Sequence, residues 1–203
     1  MNISHIINDL YIFNFVTNTF ADKKHENVVK SILLQNGLVQ IEKDDSKFSA
    51  ILKDRKNNLT TIEELKDCFL FIEQPFGSQK SPDFIICVAG FILWIECKSG
   101  KKLVWNTGYP KTNLLIVFSS KLVDKTILFF GQFSKLIEKN PKFEEQYEAL
   151  DKILKKYCKE EFEELFGTDT GFDLYHRRML NDKTKYEKDR DSLFERTKNL
   201  LGI

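Results

Sequence analysis

The sequence predicts an α/β fold: a short mixed sheet flanked by helices (α+β in its strand order) and followed by a helical C-terminal region. Three observations carry this. Apolar runs of strand length crowd the middle of the chain, from Cys68 to Gly131. They are apolar at consecutive rather than alternate positions, which requires cover on both sheet faces. Segments with apolar residues at helical spacing lie before and after them. A chain of 203 residues, 42% hydrophobic and 30% charged, is expected to fold as one domain over residues 1–203. Its core is expected over about residues 20–135 and its helical part over about 136–203.

The elements follow in order. Ile3, Ile6, Ile7, Leu10 and Tyr11 recur at helical spacing. A second helix is expected from near Asp22, with Val28, Val29, Ile32 and Leu33 on one face and Gly37 where it stops. Residues 42–60 are polar and read as loop, with a short helix around Phe48 to Leu52. Thr61 and Glu64 have the spacing of a capping box and predict another helical turn. Cys68–Ile72 reads as a strand, and Glu73–Pro82 as a loop. Asp83–Val88 and Phe91–Lys98 read as a hairpin turning at Ala89-Gly90. Leu114–Ser119 and Thr126–Gly131 read as further strands. Phe143, Tyr147, Leu150, Ile153, Leu154, Tyr157, Phe162 and Leu165 form a helical stripe, read as core with part available as a subunit interface; Gly167 ends it. After a loop from Thr168 to Leu180, a last helix carries Tyr186, Leu193, Thr197, Leu200 and Leu201.

Composition excludes several classes. With 31 Lys+Arg against 30 Asp+Glu, the chain does not bind polyanions through bulk positive charge. Its four cysteines form no CxxC pair and no zinc spacing with histidine, which fits a reducing, cytoplasmic setting. No basic segment leads into an apolar run at the N-terminus, so no signal peptide is expected. The longest apolar run, Phe84–Ile95, is twelve residues, too short for a membrane span.

The hairpin carries the chemistry. With Ala89-Gly90 as the turn, Val88 faces Phe91 and paired numbers sum to 179, which sets Asp83 opposite Glu96. Side chains alternate between faces, so these carboxylates and Lys98 share one side of the sheet, and Cys97 points to the other. Two facing carboxylates at the end of an apolar sheet repel unless a proton or a divalent cation lies between them. Such oxygen donors suit Mg²⁺, which takes one or two carboxylates together with waters and phosphate oxygens. A lysine beside them can orient an attacking water, and phosphodiester hydrolysis needs little else.

The run SPDFIICVAGFILWIECKSGK resembles the PD-(D/E)xK nuclease superfamily, and type II restriction endonucleases in particular, through Pro82-Asp83 and Glu96-Cys97-Lys98. The approach EQPFGSQKSPDF is similar too, and the explicit match spans residues 73–108. The resemblance implies a restriction-endonuclease-like core and sequence-specific, Mg²⁺-dependent cleavage of double-stranded DNA to 5′-phosphate ends, with Mn²⁺ able to substitute. It implies Asp83, Glu96 and the backbone carbonyl of Cys97 as metal ligands, and Lys98 as the catalytic lysine. It also points to Glu26, on an N-terminal helix, as a further acidic group of the site. A structure-selective nuclease (a junction resolvase or repair endonuclease) and a non-catalytic DNA-binding domain of the same fold are the alternatives.

Polar groups around the hairpin supply candidate DNA contacts. Gln74, Ser78, Gln79 and Lys80 precede the catalytic strand; Lys101, Lys102 and Asn106 follow it; Tyr175, Arg177 and Arg178 cluster in a later loop. Lysine and serine suit phosphates, glutamine suits adenine edges, and arginine suits phosphate or guanine. Trp105 reads as packing. Cutting both strands of a palindrome favours a homodimer. A restriction enzyme further implies a cognate DNA methyltransferase in the same system.

Overall fold

A computed structural model describes residues 2–14, 24–52, 58–77, 80–105, 109–167 and 180–203. Helices α1 (Ile3–Ile12) and α2 (Lys24–Gln35) precede strand β1 (Val39–Gln40), helix α3 (Ser46–Leu52) and strand β2 (Thr60–Thr61). Strands β3 (Phe69–Glu73), β4 (Phe84–Val88), β5 (Phe91–Gly100), β6 (Leu103–Trp105), β7 (Leu115–Ser120) and β8 (Lys125–Phe130) form the middle of the chain. Helices α4 (Lys135–Lys139) and α5 (Phe143–Phe166), strand β9 (Leu180–Asp182) and helix α6 (Arg190–Leu201) complete it. Among the described residues no helix is long and apolar enough to cross a membrane.

The fold is mixed α/β. An open sheet runs in the order β1-β3-β4-β5-β7-β8, with β2 also on β5. The β1–β3 and β5–β7 pairs are parallel and the others antiparallel. Both faces are covered, as the continuous apolar runs require. On one face, Phe84, Ile86, Leu93, Ile95 and Val117 pack against Ile6, Ile7 and Leu10 of α1, Val29, Ile32 and Leu33 of α2, and Phe194 of α6. On the other, Ile85, Ile92, Trp94, Ile116 and Phe129 pack against Phe48 and Ile51 of α3, Leu103 and Trp105 of β6, and Tyr186. Each large side chain so buried contributes about 1.5–3 kcal/mol.

The β4–β5 hairpin has the register that the turn dictates. Val88 pairs with Phe91 and Phe84 with Ile95. Ala89 and Gly90 take φ of 50° and 81°, the left-handed pair that a two-residue hairpin turn demands. A Cβ on Gly90 would lie 2.6 Å from the carbonyl oxygen of Ile62, so only glycine fits. The ten-residue β5 then serves two neighbours in succession on its far edge. Phe91 and Ile92 pair with β2, and Ile95 to Gly100 pair with β7. Between them the Asn58 side chain fills the gap, accepting the Trp94 N–H at 3.0 Å and donating to the Asn113 carbonyl at 2.5 Å.

Four expectations are corrected. Thr61 does not cap a helix: it is strand β2, and the following turn, Glu63–Leu65, is 3-10 with Ile62 at its N-cap and no side-chain capping bond. The α5 stripe is not core, since Leu150, Ile153, Tyr157 and Leu165 are all exposed, Leu165 at 72%. The loop after Lys98 is not wholly irregular: Leu103–Trp105 pairs with Leu180–Asp182 in a ribbon apart from the main sheet. Regular strand begins at Phe84, leaving Asp83 just outside it.

Candidate active site

Sequence and sheet parity bring Asp83, Glu96 and Lys98 together. Glu96 and Lys98 alternate with Cys97 along β5, on the side of Trp94 and Ile92; Cys97 belongs to the opposite core. Asp83 enters just before β4, close enough to Glu96 and Lys98 for its carboxyl to feel both charges. The ladder slips where Asp83 enters: its N–H donates to the Ile95 carbonyl at 3.0 Å. Its Oδ2 accepts the Cys97 N–H at 2.7 Å, so a carboxylate takes the place of a backbone acceptor and is drawn onto β5. The preceding Ser81–Pro82 peptide is cis.

Electrostatics follow from this crowding. Burial first, and the Glu96 charge second, push the Asp83 carboxyl up to about 7, against the pull of the Cys97 N–H and of Lys98; Glu26 adds a smaller push. Lys98 Nζ is ion-paired with Glu96 Oε1. Burial alone would lower the Lys98 ammonium, but Glu96 holds it above the ordinary lysine value. The Trp105 ring closes the other side, its centroid 5.7 Å from Nζ. Trp105 is packing, as its sequence context indicated, yet the packing includes the candidate catalytic lysine.

The donor set fits one hard dication. Glu96 is 7% exposed, and its second oxygen, Oε2, is buried with no hydrogen-bond partner. Beside the Lys98 ion pair, that orphaned oxygen and a second carboxyl that resists ionising leave acceptor positions that a cation would satisfy. Among the described residues no group of three His, Cys, Asp or Glu is assembled as a metal cage. Two carboxylates with the remaining positions left to water and phosphate oxygens is what Mg²⁺ accepts. The structure brings Glu26 near enough to influence Asp83 without joining it: its Oε2 accepts from the Gln74 side chain at 3.3 Å.

The other candidates divide. Gln74, at φ 46°, gives its N–H to the Asp83 carbonyl at 2.7 Å and its side-chain amide to Glu26 at 3.3 Å, tying α2 to the site. Lys80, Lys101 and Lys102 are exposed on segments adjoining the trio. Ser78, Gln79, Asn106, Tyr175, Arg177 and Arg178 lie outside the described residues. Sequence reasoning missed Asn58, whose place in the β5 edge carries no sequence signal, and the β6–β9 ribbon that sets Trp105 beside Lys98.

Comparisons with family models, with curated proteins and with solved structures each gave no match.

Proposed function

We propose that this chain is a Mg²⁺-dependent, sequence-specific DNA endonuclease of the type II restriction kind. The observation that supports it best is the convergence of Asp83, Glu96 and Lys98 at one end of an apolar hairpin, with Glu96 Oε2 orphaned. Asp83 and Glu96, with the Cys97 carbonyl beside them, are the groups that would hold the ion. A bound Mg²⁺ supplies charge neutralisation at the scissile phosphate and a more acidic water. Lys98 keeps its proton, so it acts as a fixed cation and hydrogen-bond donor toward the attacking water or the phosphate. Hydrolysis adds the water oxygen to phosphorus and breaks the bond to the 3′ oxygen, which leaves as a hydroxyl and yields a 5′-phosphate. Two copies acting on a palindrome, Mn²⁺ in place of Mg²⁺, and a protecting DNA methyltransferase belong to the same reading.

Digestion of a sequenced genome with the purified protein and Mg²⁺, followed by sequencing of fragment ends, tests it. Discrete fragments sharing one terminal sequence are expected. Lys98→Ala should lose ~10²–10⁴-fold in rate, the range for a positioned proton-handling or charged group, while still binding duplex with Ca²⁺ present. A protein that binds duplex but cuts nothing with Mg²⁺ or Mn²⁺, or a Lys98→Ala variant that cuts at the parental rate, would overturn the proposal.

A further inference from the structure

The turn joining β7 to β8 holds two apolar side chains in solvent, Leu122 at 59% and Val123 at 43% exposure. It is not a loose tip. The Ser120 hydroxyl accepts the Leu122 N–H at 3.3 Å from beneath and donates to Glu187 at 2.6 Å. On the other side Asp124, at φ 53°, turns its carboxylate inward to the Asn14 amide at 2.5 Å. The acid of the turn is thus withdrawn from its outer surface. Lysines flank the pair: Lys121 in the turn, Lys125 at the start of β8, where the exposed Asp191 of α6 lies near it, and Lys101 and Lys102 in the adjacent β5–β6 turn. The two turns touch, since the Lys121 N–H donates to the Gly100 carbonyl at 2.9 Å.

The position is set by the parallel β5–β7 pairing. Lys98 is level with Phe118 and Gly100 with Ser120, so both turns rise from the end of the sheet that carries the site. Strand β7 ends at Ser120, two residues or roughly 7 Å past the level of Lys98, and Leu122 follows in the turn beyond it. That distance is a few base steps at about 3.4 Å each. An apolar pair pinned outward and flanked by lysines has the composition of the wedges that proteins push between base steps. We propose that Leu122 and Val123 form a DNA wedge, entering a groove and unstacking a step near the scissile phosphate while Lys101 and Lys102 hold the backbone. The inference rests on the nuclease reading for its orientation. A lipid surface is the less favoured occupant, because the apolar area is two side chains and an acidic ion site shares that end of the molecule.

The test uses the full chain carrying Leu122→Trp. The parent protein, whose Trp94 and Trp105 are 8% and 3% exposed and whose Trp105 lies beside Lys98, is titrated in parallel and its change subtracted. With Ca²⁺ and a duplex of about three helical turns, stacking should quench the emission of the new indole about twofold or more at saturation. Saturation is judged independently by anisotropy of a labelled duplex. Leu122→Ser with Val123→Ser should bind duplex without distorting it, read as loss of the fluorescence rise of 2-aminopurine placed in the duplex. Lys101→Ala with Lys102→Ala should lower the slope of log affinity against log salt by about 2. Unchanged emission at saturation overturns the wedge, as does a response to anionic vesicles but not to DNA, or no duplex binding at all. Quenching in a protein that never cuts would sustain the wedge and remove the nuclease reading; cutting without quenching does the reverse.

Discussion

Replacing Asp83 by Asn should raise the stability of the metal-free protein at pH 8 and, on the proposed reading, abolish Mg²⁺-dependent cleavage. Burial and the Glu96 charge hold this carboxyl at about 7, against an ordinary value of 3.8. A displacement of that size works against the ionised folded protein by on the order of 4 kcal/mol. The direction is fixed by linkage. Below about pH 4 Asp83 is neutral in folded and unfolded chains alike, and variant and parent differ little. As pH rises the unfolded chain loses its proton first, so the native state loses ground until about pH 7, above which the full penalty applies. Buried His25, lowered to about 4, runs the other way: its contribution is complete above its ordinary 6.5 and is lost as pH falls through 4. His25 is present in both proteins, so the difference between them isolates Asp83. Asparagine retains a side-chain oxygen to accept the Cys97 N–H. Urea unfolding in EDTA at pH 5 and pH 8 is the assay, and the variant's advantage should grow by roughly 2–3 kcal/mol between them. An advantage equal at the two values, or larger at pH 5, would refute the placement of Asp83 against Glu96.

Two further outcomes bear on the frame around the site. Arg190 gives its Nε–H to the Thr126 carbonyl at 2.7 Å and its terminal N–H groups to the Tyr11 hydroxyl and carbonyl at 2.6 and 2.8 Å, joining α1, β8 and α6. Arg190→Ala strands those acceptors and should cost about 2–4 kcal/mol in denaturant unfolding, with α1 protons exchanging sooner in hydrogen-exchange experiments. Gly90→Ala sets a methyl against the Ile62 carbonyl at a left-handed φ of 81° and should destabilise by at least ~1 kcal/mol by thermal melt.

The hairpin was legible because each local signal agreed with the next: two apolar runs, an Ala-Gly turn, and a parity that follows from any even loop. Only the slip at Asp83 escaped, since the sequence does not show a carboxylate replacing a carbonyl as partner of the Cys97 N–H. The β6–β9 ribbon was not legible. Leu103–Trp105 meets Leu180–Asp182 across most of the C-terminal third, and three-residue strands carry too little pattern to announce such a pairing. Periodicity identified α5 and its end at Gly167, but spacing says which residues share a face and nothing about what lies against it. Thr61 shows local propensity yielding to a distant partner, Phe91, on β5. Glu26 came close to the site because α2 packs on the opposite face and its first turn reaches the strand ends, which its helical spacing could only suggest.

The ten-residue β5 binds β4 on one edge and β2, then β7, on the other, and Glu96 and Lys98 are carried on its second half. Those side chains are therefore rooted in a strand that is paired on both edges. Fraying cannot release them without tearing out the middle of the sheet. Local opening therefore begins at the rim of the sheet and leaves Glu96 and Lys98 where folding put them.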